Sequence, residues 1–256
     1  MFMALWYKSG NTWNTISFAR QTENQNAFLC CGGPSLSLIN PKFLNGPNRT
    51  VFGINNVYPY VRPEVWMGMD NPKCFNREMF WEPFIKILRE GFCETGIEGK
   101  LEINCLPNMF YADVAETTKN QEDIFKTRGK NINFIWNWNT FAFALHVIVW
   151  MGYGNIYIFG CDFDTSQKDY FNNIKLSDYE KKYNQHLYSQ LYNYLKWFSE
   201  TSPKYGINVY SCSENSKINN YLPYKYYLDV IKTLEEPLPK GYELYHTSMM
   251  DKITHI

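Results

Sequence analysis

Short apolar runs that stop abruptly at small or polar residues constrain the fold more than any other feature of this chain. Residues 27–31 end at Gly32, and residues 155–159 end at Gly160. Because these runs are apolar throughout rather than alternating, they are typical of strands covered on both faces of a parallel sheet. The same criteria predict further strands at residues 50–54, 65–69, 132–136 and 207–210.

Segments in which apolar residues recur with helical spacing separate these strands. The first covers residues 77–90, where Pro83 is expected to bend or end the helix. Longer helices are predicted at residues 141–151 and 178–198, and a short one follows Pro34. Strands that alternate with helices predict an α/β fold of the Rossmann-like type, with a mostly parallel sheet and helices on both faces.

Composition excludes several classes of protein. Lysine plus arginine equals aspartate plus glutamate at 25 each, so no net field attracts nucleic acid. The longest apolar stretch, residues 141–151, is too short to span a bilayer, and the N-terminus has no basic start before a long apolar run. The seven cysteines include no C-x-x-C pair, which favours a reducing compartment. We therefore expect a cytoplasmic, single-domain protein (residues 1–256) without a nucleic-acid partner or integral membrane segment. Homo-oligomer formation stays open.

Polar residues follow several predicted strands, and ligands of open α/β sheets bind at the carboxyl ends of the strands. The first of these strand ends, the loop 32–35, lets the backbone approach a ligand and is expected to aim its N–H groups at an anion. It lacks both the third glycine of the dinucleotide fingerprint and the lysine of the phosphate-binding loop. The strand ends predict a site formed by Gly32, Gly33, Pro34, Ser35, Asn55, Asp70, Asn71, Asp162, Asn215 and Ser216.

Two further features have both a chemical and a structural interpretation. Asp162 and Asp164 form a D-x-D triplet, the form in which many glycosyltransferases hold magnesium or manganese against a sugar nucleotide. Alternatively, Asp162 caps the next turn. His186 lies on the predicted helix 178–198, where it is either a general base or an ordinary surface residue.

Together, these motifs resemble the bacterial lipooligosaccharide sialyltransferases in order and approximate spacing over most of the chain. The residues that carry the resemblance are Cys31-Gly32-Gly33-Pro34-Ser35-Leu36, Asn55, the segment from Gly152 to Phe163, His186, and Cys212-Ser213-Glu214-Asn215-Ser216. The resemblance implies a transferase with a nucleotide-sugar donor of the CMP-sialic acid type and a glycan or small-molecule acceptor.

The resemblance also implies roles for individual residues. The loop 33–35 would bind the nucleotide, with Asn55 and Asn71 near the nucleotide and the phosphate. Thr140 falls where the family has a serine that contacts the donor, Tyr170 on a tyrosine that helps the phosphate leave, and His186 on the general base. The segment 165–176 would be a mobile lid. The family pattern has an asparagine where this chain has Gly32, and a second phosphate-contacting tyrosine where it has Asp164.

A second family has similar features. The first loop, the G-x-D strand end and the segment from Pro63 to Asp70 resemble the 6-hydroxymethylpterin diphosphokinase (MptE-like) proteins, which use ATP and magnesium. In that case Asp70 and Asp162 would be magnesium ligands, and His186 would have no catalytic role. A nucleotide- or glycan-binding module without turnover is the third alternative.

Overall fold

The computed structural model describes residues 5–16, 25–98, 101–115, 122–126, 134–135, 139–164, 170–172 and 175–235. The strands within these ranges are β1 (Leu5–Ser9), β2 (Thr12–Ile16), β3 (Asn26–Cys30), β4 (Arg49–Ile54), β5 (Val65–Gly68), β6 (Ile85–Arg89), β7 (Gly96–Glu98), β8 (Leu101–Glu102), β9 (Met109–Ala112), β10 (Val114–Ala115), β11 (Phe134–Ile135), β12 (Asn155–Phe159) and β13 (Asn208–Ser211). The α-helices are α1 (Asp123–Lys126), α2 (Thr140–Trp150), α3 (Asp178–Thr201) and α4 (Tyr227–Glu235).

Nine of the described strands form one sheet in the order β13-β12-β3-β4-β5-β6-β9-β1-β2. From β13 to β9 every neighbouring pair is parallel, whereas β1 and β2 form an antiparallel hairpin at one edge. The prediction of a mostly parallel α/β sheet is therefore confirmed.

Side chains of the central strands alternate between two apolar layers. In β3, Ala27 and Leu29 belong to the layer that packs against α2 and α3, while Phe28 and Cys30 face the layer covered by α4 and short 3-10 segments. Helices on both faces are thus confirmed. Every residue of α2 is buried, as expected of a helix that is apolar all round.

The prediction of a helix over residues 77–90 was wrong. The structure has a 3-10 segment at Arg77–Trp81, followed after Pro83 by β6 in the middle of the sheet. Apolar residues at positions 87 and 88 fit helical spacing, but they point to opposite faces of the sheet, in the two apolar layers. The short helix after Pro34 is a 3-10 segment, Pro34–Leu38.

The other predicted elements agree with the structure to within a few residues. They are β3, β4, β5, α2, β12, α3 and β13. Of the strand predicted at residues 132–136, the described part is β11, which pairs with β10 outside the main sheet.

The single domain over residues 1–256 and the lid at 165–176 stay predictions. Of that lid, residues 165–169 and 173–174 lie outside the described residues. None of the helices in the described ranges is long and apolar enough to cross a membrane.

Candidate functional site

The order of the strands creates a crevice at one place in the sheet. From β3 the chain adds β4, β5 and β6 on one side, and later adds β12 and β13 on the other side. Ligands of doubly wound folds bind where the strand order reverses in this way, beyond the carboxyl ends of the strands. A cavity of about 410 Å³ opens between the ends of β3 and β12, within the usual size range of small-molecule sites.

The cavity unites side chains from distant parts of the chain. The described lining residues come from the strand ends, the N-terminus of α2, the segment before α3, and one face of α3. Among them are these residues predicted from the sequence: Gly32, Gly33, Pro34, Asn55, Asp70, Thr140, Asp162, Asp164 and Tyr170.

The loop 32–35 is joined to the end of β12 by backbone hydrogen bonds. The N–H of Gly33 donates to the carbonyl of Gly160 at 2.7 Å, and the N–H of Ser35 donates to Oδ2 of Asp162 at 2.8 Å. Both N–H groups are thus engaged within the protein, and the expectation that the loop aims N–H groups at the anion of a ligand stays a prediction. A Cβ at position 33 would lie 2.5 Å from Asp162 Oδ2 and 2.6 Å from the carbonyl oxygen of Gly160, so only glycine fits.

Asp162 belongs to this junction as much as to the cavity. Burial raises the pKa of its carboxyl group above the ordinary value, although the hydrogen bonds from Ser35 act in the opposite direction. Its backbone carbonyl accepts the N–H of Lys217 at 3.2 Å. The alternative that Asp162 caps the turn that follows it stays a prediction, since its side chain instead accepts the N–H of Ser35 in the distant 3-10 segment Pro34–Leu38.

Two cavity residues have a strained backbone. Asn55 and Phe163 adopt the left-handed conformation, with φ of 52° and 53°, which is uncommon for Asn and an outlier for a bulky residue such as Phe. Oδ1 of Asn55 is also buried without a hydrogen-bond partner. Strain and an unsatisfied polar atom next to a cavity are typical of ligand-binding sites, where a bound group supplies the missing partner.

The N-terminus of α2 faces the cavity through Asn139, Thr140 and Phe141. Asn139 caps the helix, since its side chain accepts the N–H of Phe141 at 2.7 Å. The first turn contains no acidic residue, so the partial positive charge of the helix end is not neutralised within the helix. This end of α2 therefore favours a negatively charged ligand.

The charged side chains of the cavity lining are acidic. Asp70, Asp162 and Asp164 line it, and no lysine or arginine is found among the described lining residues. Burial raises the pKa of Asp70 above the ordinary value, although its side chain is accessible from the cavity mouth. In the described ranges no group of three or more His, Cys, Asp or Glu side chains is close enough to hold a metal ion. Magnesium or manganese at these carboxylates stays a prediction.

Four other predicted residues lie near the cavity without lining it. Ser35 donates its hydroxyl to Ser213 at 2.8 Å, and buried Ser216 donates its hydroxyl to the carbonyl of Cys161. Asn71 caps a 3-10 segment, and Asn215 is exposed beside Ser216. The contacts of Ser35, Ser216 and Asn71 are structural in the described part of the chain, and the roles of all four residues in ligand binding stay predictions.

His186 is exposed on α3, and it is not among the described residues of the cavity lining. Its Nε2 lies 3.1 Å from Nε2 of Gln190, one turn further along the helix. The α3 residues that do line the cavity are Tyr183, Asn184, Leu187 and Tyr188. The role of His186 as general base stays a prediction.

Several lining residues were missed from the sequence. Phe163 stacks on Tyr188, with ring centroids 4.8 Å apart, and Asn139 caps α2. Tyr183, Asn184 and Tyr188 are spaced as one face of a helix, which was the available signal. That signal did not distinguish a cavity wall from an ordinary packed or solvated face.

Comparison with known proteins gives structural similarities only. No known family model matches the chain, and no curated protein matches it in sequence. The sialyltransferase CstII from Campylobacter jejuni, with cytidine-5'-monophosphate, is 17% identical over 78% of this chain and 84% of that chain, with a TM-score of 0.44. CST-II in complex with a trisaccharide acceptor and CMP is 18% identical over 78% and 86%, with a TM-score of 0.46.

The monofunctional alpha-2,3-sialyltransferase Cst-I from Campylobacter jejuni is 16% identical over 82% of this chain and 83% of that chain, with a TM-score of 0.44. At TM-scores below 0.5 these similarities carry no argument about the activity of this chain. That argument rests on the cavity itself.

Proposed function

We propose that this chain is a glycosyltransferase that moves a sugar from a nucleotide-activated donor, of the CMP-sialic acid type, to a hydroxyl group of a glycan or small-molecule acceptor. One observation carries the proposal. Residues to which the sequence resemblance assigns donor binding come from separate segments and line a single cavity, among them Gly33, Asn55, Thr140 and Tyr170. That cavity lies at the reversal of strand order, where this class of fold binds nucleotides.

The donor would be held by groups that need a partner. Oδ1 of Asn55 is a buried acceptor without a hydrogen bond, so it fits an amino or hydroxyl group of the nucleoside. The N-terminus of α2 at Asn139 and Thr140 fits the phosphate, because the helix dipole favours negative charge there. The loop 32–35 shapes the cavity: Gly33 permits the close junction with the end of β12, and Gly32 places no side chain beside the Tyr170 ring.

Transfer breaks the bond between the sugar and the phosphate, so the protein must stabilise the leaving phosphate and deprotonate the acceptor hydroxyl. Tyr170 and Tyr188 line the cavity, and burial raises the pKa of Tyr188, which keeps its hydroxyl protonated as a donor. His186 is the base that the resemblance implies. Asp70 is the second candidate, because its raised pKa makes it a stronger base than an ordinary aspartate.

A ligand panel followed by a transfer assay tests the proposal. Thermal stabilisation is measured with CMP, CMP-sialic acid, UDP, GDP and ATP, each with and without magnesium or manganese. Stabilisation by cytidine nucleotides without metal supports the proposal, and a ligand at about a hundred times its Kd adds roughly 2.7 kcal/mol. No stabilisation by any of them, together with no transfer from CMP-sialic acid to a panel of sugars, contradicts it.

Variants then assign the base. Loss of a general base lowers the rate by about 10²- to 10⁴-fold. His186→Gln and Asp70→Asn are therefore compared in the transfer assay, with Gln190→Ala as the control for a surface change beside His186. A near-normal rate in His186→Gln with a large loss in Asp70→Asn assigns the base to Asp70.

The acidic lining favours a second candidate function. Carboxylates at Asp70 and Asp162, with no lining cation among the described residues, suit a magnesium-dependent reaction of ATP such as diphosphate transfer to a pterin. Stabilisation only by ATP with magnesium, abolished in Asp70→Asn, would favour this alternative. Tight nucleotide binding without any turnover would favour a binding module.

Cytoplasmic location is part of the proposal. All seven cysteines, including the cavity residues Cys31 and Cys161, are free thiols, as is usual in reducing compartments. Burial raises the pKa of the Cys161 thiol well above its ordinary value, so this cysteine does not serve as a thiolate nucleophile.

A further inference from the structure

The charge of the cavity does not match the ligand proposed for it. A nucleotide-activated sugar carries a phosphate, and a second negative charge develops on that phosphate as the sugar leaves. The lining nevertheless contains Asp70, Asp162 and Asp164, and none of the lysines or arginines in the described ranges lines it. Like charges at close range in a partly buried site repel by several kcal/mol, by order of magnitude. A cation close to the lining would offset this repulsion, in addition to the helix N-terminus at Asn139 and Thr140.

One described ion pair connects the cavity wall to such a cation. Nζ of Lys217 lies 3.1 Å from Oδ1 of Asp164, and both side chains are partly exposed, 43% and 29%. The backbone of Lys217 is fixed at the same place, since its N–H donates to the carbonyl of Asp162 at 3.2 Å. Lys217 begins the 3-10 segment Lys217–Asn220, which Ser216 caps. The ammonium group is thus held at the rim of the cavity by contacts to the end of β12.

We propose that Lys217 binds the phosphate of the donor, and that Asp164 is a positioning residue that holds the Lys217 ammonium at the rim of the cavity. This inference rests on the proposed glycosyltransferase function. An ammonium group has three N–H donors, so it can contact Asp164 and still offer donors to a phosphate oxygen. The pair also explains why a carboxylate lies beside a negatively charged ligand. Asp164 alone would repel the phosphate, but by holding Lys217 it places a positive charge there.

The same contact could be an ordinary surface ion pair, and the two possibilities differ in what they predict. An exposed ion pair contributes about 0–1 kcal/mol to stability and nothing to ligand binding. A phosphate-binding lysine changes the affinity for CMP while leaving the affinity for cytidine, which has no phosphate, unchanged. The comparison of these two ligands therefore separates the phosphate contact from any general effect on the cavity.

The test measures the Kd of CMP and of cytidine by calorimetry, with EDTA present so that no metal ion can replace the lysine. Lys217→Met is expected to weaken CMP binding by about 10- to 100-fold, the effect of one charge-assisted hydrogen bond, with cytidine binding unchanged. Lys217→Arg is expected to retain most of the CMP affinity. Lys196→Met is the matched control, since Lys196 is exposed on α3 away from the cavity lining and its loss changes the net charge equally.

Asp164→Asn tests the positioning role. It keeps the cation but removes the group that orients it, so we expect KM for the donor to change less than tenfold and kcat to fall more than KM rises. Lys217→Met, by contrast, should change both. Equal kinetics of Asp164→Asn and wild type would overturn the positioning role.

The outcomes separate the inference from the function on which it rests. If the wild type binds CMP and Lys217→Met binds it equally well, the inference is wrong while the proposed function stands. If Lys217→Met and Lys196→Met weaken CMP binding to the same extent, the effect is one of net charge and the inference is wrong as well. If the wild type binds none of the nucleotides and transfers no sugar from CMP-sialic acid, both are wrong.

Discussion

Gly33 should be the least replaceable residue of the loop 32–35. In Gly33→Ala the new Cβ would lie 2.5 Å from Asp162 Oδ2 and 2.6 Å from the carbonyl oxygen of Gly160, and the second of these atoms is backbone that cannot rotate away. Relieving such an overlap costs about 1–3 kcal/mol. The movement also breaks the hydrogen bonds from the N–H groups of Gly33 and Ser35, at about 1 kcal/mol each.

The expected loss of unfolding free energy is therefore about 3–5 kcal/mol, the sum of these contributions. For a chain of this length a change of 1 kcal/mol moves the melting temperature by about 2–4 °C, so a decrease of roughly 6–20 °C is expected in a thermal melt. Nucleotide binding should weaken in parallel, because the ends of β3 and β12 can no longer meet at the cavity.

The neighbouring glycine provides a matched control. A Cβ on Gly32 would meet only the ring of Tyr170, at 3.5 Å from Cδ1, which is an ordinary contact. Gly32→Ala is therefore expected to change the unfolding free energy by no more than about 0.5 kcal/mol. Equal melting temperatures for the two alanine variants would refute the reasoning, because the junction between β3 and β12 would then not depend on close approach at Gly33.

Three other changes have expected outcomes in urea or thermal unfolding. Burial lowers the pKa of Lys86 from 10.5 to about 8, which costs about 3 kcal/mol of unfolding free energy at neutral pH. Lys86→Met removes this cost but also removes two hydrogen bonds, at about 1 kcal/mol each, so the variant should be more stable by about 1 kcal/mol. That advantage should disappear as pH rises from about 8 to 10.5, since the wild type then folds with a neutral lysine, and a pH-independent difference would contradict it. Burial raises the pKa of Asp70 in the folded state, so the wild type loses stability as pH rises from the unfolded-state pKa to the folded-state pKa. Asp70→Asn should therefore be more stable than the wild type by less than ~1 kcal/mol at neutral pH, and this advantage should be absent below about pH 4. Asn139→Ala should lose about 1 kcal/mol through the missing cap of α2, and Asn139→Asp should retain it; equal stability of both variants would contradict the capping role.

Much of the fold could be predicted because burial on both faces leaves a local signature. β3 and β12 are apolar at nearly every position, and α2 is apolar all round, so their types could be identified without knowing their neighbours. The strand β6 was mistaken for a helix because Lys86 interrupts its apolar run. In the structure that lysine is buried, and its ammonium is satisfied by the backbone carbonyls of Glu82 and Phe84. A pattern of apolar residues contains no information about such a partner.

The residues of the candidate site were likewise predictable only in part. Strand ends such as Asn55 and Asp70 were found because parallel strands bring their carboxyl ends to one edge, a rule that holds without coordinates. Phe163 and the α3 face with Tyr188 were missed, because their position in the cavity depends on how α3 packs over β12. His186 was selected for its chemistry alone; the structure leaves it exposed outside the described cavity lining, and its role as general base stays a prediction.

The sequence by itself determined the α/β class, the buried strands and the glycine loop, because each depends on neighbouring residues and on the tendency of apolar side chains to leave water. Only the tertiary structure decided which polar groups meet. It paired the Ser35 N–H with Asp162, Lys217 with Asp164, and left Oδ1 of Asn55 without a partner. These contacts join residues far apart in the chain, and electrostatic and hydrogen-bond energies depend on distance in space, which local sequence does not contain.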